Sequence, residues 1–194
     1  TNLTGANLEN ANLSNASFVD VDLTKIKNKS LAGANLSETS FAYSNLSDVD
    51  LSGTILQVSN FWKADISDVD FTVTNVITDG ITFLEANLSN ANFEGVDFSP
   101  KEIYGKVFKN KASLINSSYA DLIVNLFGEF DTIYIISEEV SGNDLALKYV
   151  FFNNFASANL ENANFKDANL RYAGFYQADL TNADLSGADL RNAY

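Results

Sequence analysis

Apolar residues recur at every fifth position over most of the chain. They run Leu3, Leu8, Leu13, Phe18 and Leu23, then Leu36, Phe41, Leu46, Leu51, Leu56, Phe61, Ile66, Phe71, Val76 and Ile81. A slip of two residues follows, the beat resumes at Leu88, Phe93 and Phe98, and after a long gap it returns at Phe155 and continues to Leu190. A period of five fits neither an α-helix, at about 3.6 residues per turn, nor a flat strand, at about two, so neither element alone brings these centres to one side. A coil that turns a corner every five residues does. The position two before each centre is an independent check: among twenty-six repeats it is Ala fourteen times, and Val, Thr or Ser elsewhere except at Asp79 and Asn153. Both exceptions sit beside breaks in the register. Self-similarity at a fixed short period marks a repeat architecture, in which each unit buries its apolar face only by stacking on its neighbours.

The segments Ala6-Asn7-Leu8, Ala11-Asn12-Leu13, Ala158-Asn159-Leu160 and Ala178-Asp179-Leu180 resemble the A(N/D)LXX signature of the pentapeptide-repeat proteins. The resemblance covers residues 1–98 and 153–194. It implies an all-β fold, a right-handed quadrilateral parallel β-helix with four pentapeptides to a coil. In that fold the large centre and the small residue two before it point inward, and the other three positions face water. Residues one coil apart then stack at about the 4.8 Å spacing of neighbouring strands. Phe41 is placed below Phe61, and Phe155 below Phe175, as core. The Asn or Asp before each centre is expected to bond nearby backbone and hold the corners.

Three segments follow from the register: residues 1–98 as the N-terminal part of the β-helix with an irregular break at 24–33, an insertion over 99–152, and residues 153–194 as the C-terminal part. The insertion, entered at Pro100, predicts a small α+β segment. Ile103, Val107, Phe108, Leu114, Ile115, Tyr119, Leu122, Ile123, Leu126 and Phe127 recur at spacings of three and four, which argues one or two amphipathic helices. Thr132–Ser137 and Leu145–Phe152 are β-branched and aromatic around Ser141-Gly142-Asn143-Asp144, the pattern of a hairpin. So short a segment is marginal as an independent fold and is expected to lean on the coils. Alternatively, Ala112-Ser113-Leu114 and Ser117-Ser118-Tyr119 are degenerate repeats that shorten it.

Composition narrows the function classes. The 194 residues include neither Cys nor His. Disulfides, thiolate zinc sites, and Ser-His-Asp or Cys-His catalysis are thereby excluded. No glycine-rich phosphate loop is present. Carboxylate-only catalysis needs one carboxyl in a concave, partly desolvated place, which a smooth prism rarely offers. The expectation is no enzyme, no cofactor and no resident metal. No apolar run of about 18 residues is present to span a membrane as a helix. No signal peptide is visible, and the Asn-Leu-Ser sequons arise from the repeat itself, so the compartment is left open.

Charge changes the picture further. The net charge is −13, and the repeats hold few cations besides Lys63, Lys166, Arg171 and Arg191. Acidic walls disfavour nucleic acid and anionic membrane as direct partners and favour a protein with a basic surface. Ser47-Asp48-Val49-Asp50 recurs one coil later as Ser67-Asp68-Val69-Asp70, placing Asp48 under Asp68 and Asp50 under Asp70. Four such carboxylates repel one another unless solvent, a basic partner or a weakly held oxygen-ligand cation such as Ca²⁺ relieves them. They form a candidate acidic interaction patch. Ile55, Val58, Trp62, Val73 and Ile77 fall at outward positions within two coils and form a candidate apolar docking patch for the insertion or a partner.

The reading is a non-enzymatic scaffold whose stacked coils present an acidic surface and whose insertion supplies recognition. The family resemblance implies an alternative, since its quinolone-resistance members resemble DNA and occupy the DNA site of gyrase, a type II topoisomerase. Against it, the residue before the centre is Asn in thirteen repeats and Asp in only eight, so the charge is patchy. The chain stops in register at Asp189-Leu190-Arg191-Asn192-Ala193-Tyr194. An open coil is expected to be covered either by further chain or by a second copy meeting it end to end.

Overall fold

The structure, a computed structural model, describes residues 2–72, 80–99 and 153–194 with their side chains, together with the backbone of three strands in the segment between the last two. The chain divides into two compact units, Thr1–Ser99 with Phe152–Tyr194, and Pro100–Phe151.

The first unit is a right-handed, four-sided parallel β-helix. From Asn12 onward the regular pentapeptides each make one parallel bridge and one turn, and Leu46 shows the scheme. Its N–H donates to the Asp65 carbonyl of the next coil at 2.7 Å, and its own carbonyl accepts the N–H of Val49 at 3.0 Å to close the turn. Outside the first break, the residue two after the centre has a positive φ in the described repeats, as at Asn10, Asp48 and Asn162. That left-handed conformation favours Asn, Asp and Gly, which is why those residues crowd this position.

The residue before the centre holds the corner. Asn45 Oδ1 accepts the Ser47 N–H at 3.0 Å and its hydroxyl at 2.9 Å. The same Asx bond recurs from Asn2 to Asp189. A short polar side chain that satisfies the turn's own backbone donor explains the A(N/D)LXX pattern locally.

Inside, one face is filled by stacked rings. Phe18, Phe41, Phe61, Phe83, Phe155 and Phe175 form a ladder with centroid spacings of 5.4, 5.0, 5.5, 5.0 and 5.0 Å. Phe71, Phe93 and Phe165 form a second ladder at 4.6 and 4.8 Å. Phe41 under Phe61 and Phe155 under Phe175 stand as the period requires.

Two register assignments need correction. The centre beside the slip is Phe83, not Ile81: Phe83 stacks on Phe61, and Glu85 carries the positive φ two residues on. Ile81 takes the small-residue position instead and is also fully buried. The beat before the slip cannot show on which side of it Ile81 belongs; stacking can. Likewise, the repeats restart at Leu31 and not at Leu36, since Leu31 is fully buried, Gly33 has the positive φ and Ser30 bridges Asp50. The first break is thus shorter than residues 24–33 and consists of two 3-10 turns, Leu23–Lys25 and Lys27–Lys29.

Across the insertion the coils keep their order. Thr82 bridges Asn154 and Asp97 bridges Asn169. Those partners are separated by one coil plus the fifty-two residues Pro100–Phe151, so the excursion leaves the register of the β-helix intact. Asn153, an exception to the small-residue rule, is buried at the re-entry. Its side chain accepts the Ile81 N–H at 3.0 Å and donates to the Phe98 carbonyl at 2.9 Å.

The second unit contains three antiparallel strands, β1 (Glu102–Phe108), β2 (Ile133–Ser141) and β3 (Asp144–Phe151), in the order β1-β3-β2. The β2–β3 hairpin closes at Ser141 opposite Asp144 and is longer than the β-branched runs alone predict. Residues 102–108 correct the helical expectation: Ile103 and Val107 lie on β1, paired with Tyr149 and Ala146 of β3. Their spacing of four is compatible with either period in so short a run, and pairing with an available strand decides it. The rest of the helical expectation, Leu114 to Phe127, lies outside the described residues, as do the two degenerate-repeat candidates.

Candidate interaction surface

The corner architecture that forms the core also fixes the acidic side chains. Asp48, Asp50, Asp68 and Asp70 are all exposed. Asp48 and Asp68 sit at successive positive-φ positions, each donating its N–H to the coil above, at Ser67 and Ser89. Each carboxylate has a local partner. Asp48 is paired with Lys29 at 3.1 Å and Asp68 accepts from the Asn90 amide at 3.0 Å. Asp50 accepts the Ser52 N–H at 2.8 Å, and Asp70 the N–H and hydroxyl of Thr72 at 2.9 and 2.6 Å. Their mutual repulsion is therefore relieved by neighbours and solvent. Among the described residues no group of three or more His, Cys, Asp or Glu could hold a metal ion.

The candidate apolar patch is brought together only in part. Ile55, Val58 and Trp62 are half-buried on the outside of the coils, while Val73 and Ile77 lie outside the described residues. Trp62 belongs to a surface cluster that the outward-position pattern does not single out. Its ring meets Tyr43 edge-on at 5.0 Å, and its Nε1 donates to Glu85 at 3.3 Å. Lys63 Nζ lies 5.1 Å from the Trp62 ring centroid and 5.9 Å from that of Tyr43, and pairs with Glu85 at 3.2 Å. The signal that unites Tyr43, Lys63 and Glu85 is their shared place two residues after Phe41, Phe61 and Phe83. It becomes legible once Phe83 is taken as a centre.

A second charged cluster spans the insertion point. Lys166 bonds Glu94 at 2.9 Å, and that hydrogen bond, more than the charge itself, holds the Glu94 carboxyl below its ordinary range and raises Lys166. At the last coil the Arg191 guanidinium grips Asp189 with bonds of 2.8, 3.1 and 2.6 Å, lowering its pKa to about 2. Asp22, Asp179 and Asp184 are lowered chiefly by the side-chain hydroxyls of Thr24, Thr181 and Ser186. These carboxylates are therefore already engaged in holding corners. Among the described residues no helix is long and apolar enough to cross a membrane.

Four-sided coils with Asx-bonded corners and an acidic exterior define a class of repeat protein. The sequence profile for pentapeptide repeats matches in eight copies, over residues 1–27, 34–72, 73–99 and 158–194, and the chain belongs to the pentapeptide-repeat family. Solved structures similar to it include HetL, a pentapeptide repeat protein involved in heterocyst differentiation regulation from the cyanobacterium Nostoc sp. strain PCC 7120. That pair has 20% identity over 95% of this chain and 70% of the other, with a TM-score of 0.30. Rfr23 of the cyanobacterium Cyanothece 51142 is similar at 18% identity over 95% and 87%, TM-score 0.34. A trypsin-treated form of QnrB1, a plasmid-mediated fluoroquinolone resistance protein, is similar at 15% identity over 100% and 70%, TM-score 0.44. No curated protein sequence matches the chain.

Proposed function

We propose that this protein is a non-enzymatic scaffold whose β-helix presents fixed carboxylates to a protein partner with a basic surface, the insertion contributing to recognition. The observation that carries this reading is the exposed wall of Asp48, Asp50, Asp68 and Asp70, set at coil-to-coil spacing on a chain of net charge −13. Fixed like charges of this kind steer a cationic partner and repel nucleic acid and anionic lipid. The test is a pull-down from native extract with the intact protein, the Asp48→Asn/Asp50→Asn/Asp68→Asn/Asp70→Asn variant, and a form lacking residues 101–152. Capture that weakens with the fourfold variant and with rising salt supports the acidic wall. Capture indifferent to both overturns it.

The second reading is a DNA-mimicking inhibitor or protector of a type II topoisomerase, and acidity favours it. Against it, the exterior column Asp22, Asn45, Asp65, Asn87, Asn159 and Asp179 has neutral amides interrupting its carboxylates. A gyrase supercoiling assay showing no inhibition at high protein concentration removes this reading. End-to-end pairing of two copies through a terminal coil is a further proposal for assembly, and sedimentation of a monomer at all concentrations removes it.

A further inference from the structure

One of the four faces differs from the others at the outward position just after the centre. On the face of the long phenylalanine ladder that position is Val19, Ala42, Trp62, Leu84, Ala156 and Tyr176, apolar or aromatic in all six coils. On the other three faces the described residues there are Ser, Thr, Gln, Glu, Lys or Arg, Ala32 excepted. The six are consecutive in space. The carbonyls of Ala42, Trp62, Leu84, Ala156 and Tyr176 each accept the N–H of the residue two after the centre in the preceding coil, at 2.8 to 3.0 Å. Val19 is 47% exposed and Tyr176 66%; Trp62, Leu84 and Ala156 are half-buried, and Ala42 is buried at 6%, its coil presenting Tyr43, beside the stripe, at 49%. The position before the centre on this face holds no carboxylate: it is Ser17, Ser40, Asn60, Thr82, Asn154 and Gly174. At the next corner, along one side, the column Asp22, Asn45, Asp65, Asn87, Asn159 and Asp179 carries three carboxylates spaced by neutral amides.

We propose that this stripe is the docking face for a basic amphipathic helix of a partner protein. The inference rests on the scaffold reading and adds a docking face and a partner chemistry to it. Five coil spacings of about 4.8 Å make the stripe about 24 Å long, the length of a helix of about 16 residues. The helical pitch of about 5.4 Å nearly matches the coil spacing, so each turn of the helix sets one apolar anchor against one coil. Lys or Arg along one flank of the helix then meets the three carboxylates Asp22, Asp65 and Asp179. A second copy of this chain is a poor occupant because it brings the same net charge of −13 to the contact. An anionic lipid surface is repelled in the same way.

Trp62 is the only tryptophan of the chain and lies in the stripe, so its emission reports occupancy directly. The probe is a synthetic 18-residue peptide without tryptophan, with leucines on one helical face and lysines on one flank. Titrated into the full chain, it is expected to shift Trp62 emission to the blue and to saturate. A scrambled peptide of identical composition and one with glutamate for lysine are expected to do neither. Tyr176→Asp and Val19→Asp, both at exposed positions, are expected to weaken binding about tenfold or more, with unchanged circular dichroism and unfolding midpoint. The proposal is overturned by equal binding of the scrambled peptide, by binding indifferent to both variants, or by a dimer in sedimentation that Tyr176→Asp dissociates. A titration that fails while the Asp48 to Asp70 wall still captures partner overturns the stripe alone. Capture indifferent to that wall while the titration succeeds overturns the wall alone.

Discussion

The carboxamide of Asn153 donates to the carbonyl of Phe98 at 2.9 Å, joining the residue that re-enters the coils to the last centre before the chain leaves them. Its oxygen meanwhile accepts the N–H of Ile81 one coil below. Both backbone groups are buried, and no neighbouring repeat is in sequence to satisfy them at that seam. An Asn stands where fourteen repeats have Ala because only a side chain with both a donor and an acceptor can close it.

Asn153→Ala is expected to destabilise the β-helix by about 2–4 kcal/mol, since two buried polar groups lose their partners. Asn153→Asp is expected to be at least as harmful, because a carboxylate faces the Phe98 carbonyl where a donor is needed. Chemical denaturation followed by circular dichroism measures both; no change in midpoint for Asn153→Ala contradicts the seam.

The phenylalanine ladder is fully buried in its interior. Phe83→Ala is expected to cost about 3–5 kcal/mol, as a large cavity opens between Phe61 and Phe155. The same change at Phe18 or Phe175, half-buried at the ladder ends, is expected to cost less. Equal losses at all three positions, read from unfolding midpoints, disagree with this.

Val58 holds a φ of 60°, a conformation its branched side chain resists. Val58→Asn introduces a residue used at the equivalent position of many other repeats, such as Asn15 and Asn162. It is expected to stabilise the protein by about 1 kcal/mol, seen as a higher melting temperature.

Acid stability follows from the lowered carboxylates. Asp22, Glu94, Asp179, Asp184 and Asp189 have folded pKa values below their ordinary ones. Their stabilisation is fully present above the ordinary carboxylate range and is lost as pH falls through the folded values, down to about 2 for Asp189. Lys166 is raised, so its contribution is lost only as pH climbs past its ordinary 10.5. Melting temperature is thus expected to hold between about pH 5 and 9 and to drop below about pH 4. Arg191→Gln is expected to shrink the lowest part of that drop. A flat profile from pH 5 to 2 contradicts the assignment.

The fold was written plainly in the chain. Centres every five residues, small residues two before them and Asn or Asp between state both the core and the corners, because a solenoid repeats one local solution and asks little of distant residues. Phe41 under Phe61 could be predicted by counting. Ile103 and Val107 could not, because a spacing of four is ambiguous in a short run and their strand exists only by pairing with β3. The acidic wall was legible as Asp48, Asp50, Asp68 and Asp70, but not its local partners Lys29, Asn90, Ser52 and Thr72.

What the sequence determined by itself was the coil: its period, its inward residues and its acidic exterior, because the same five-residue pattern recurs in every turn. Only the tertiary structure decided which centre follows the slip, what Asn153 is for, and that the residues after Phe18, Phe41, Phe61, Phe83, Phe155 and Phe175 share one apolar face. Those relations join residues as far as 72 positions apart, and a break in the count hides them until backbone hydrogen bonds and stacked rings show which coil lies on which.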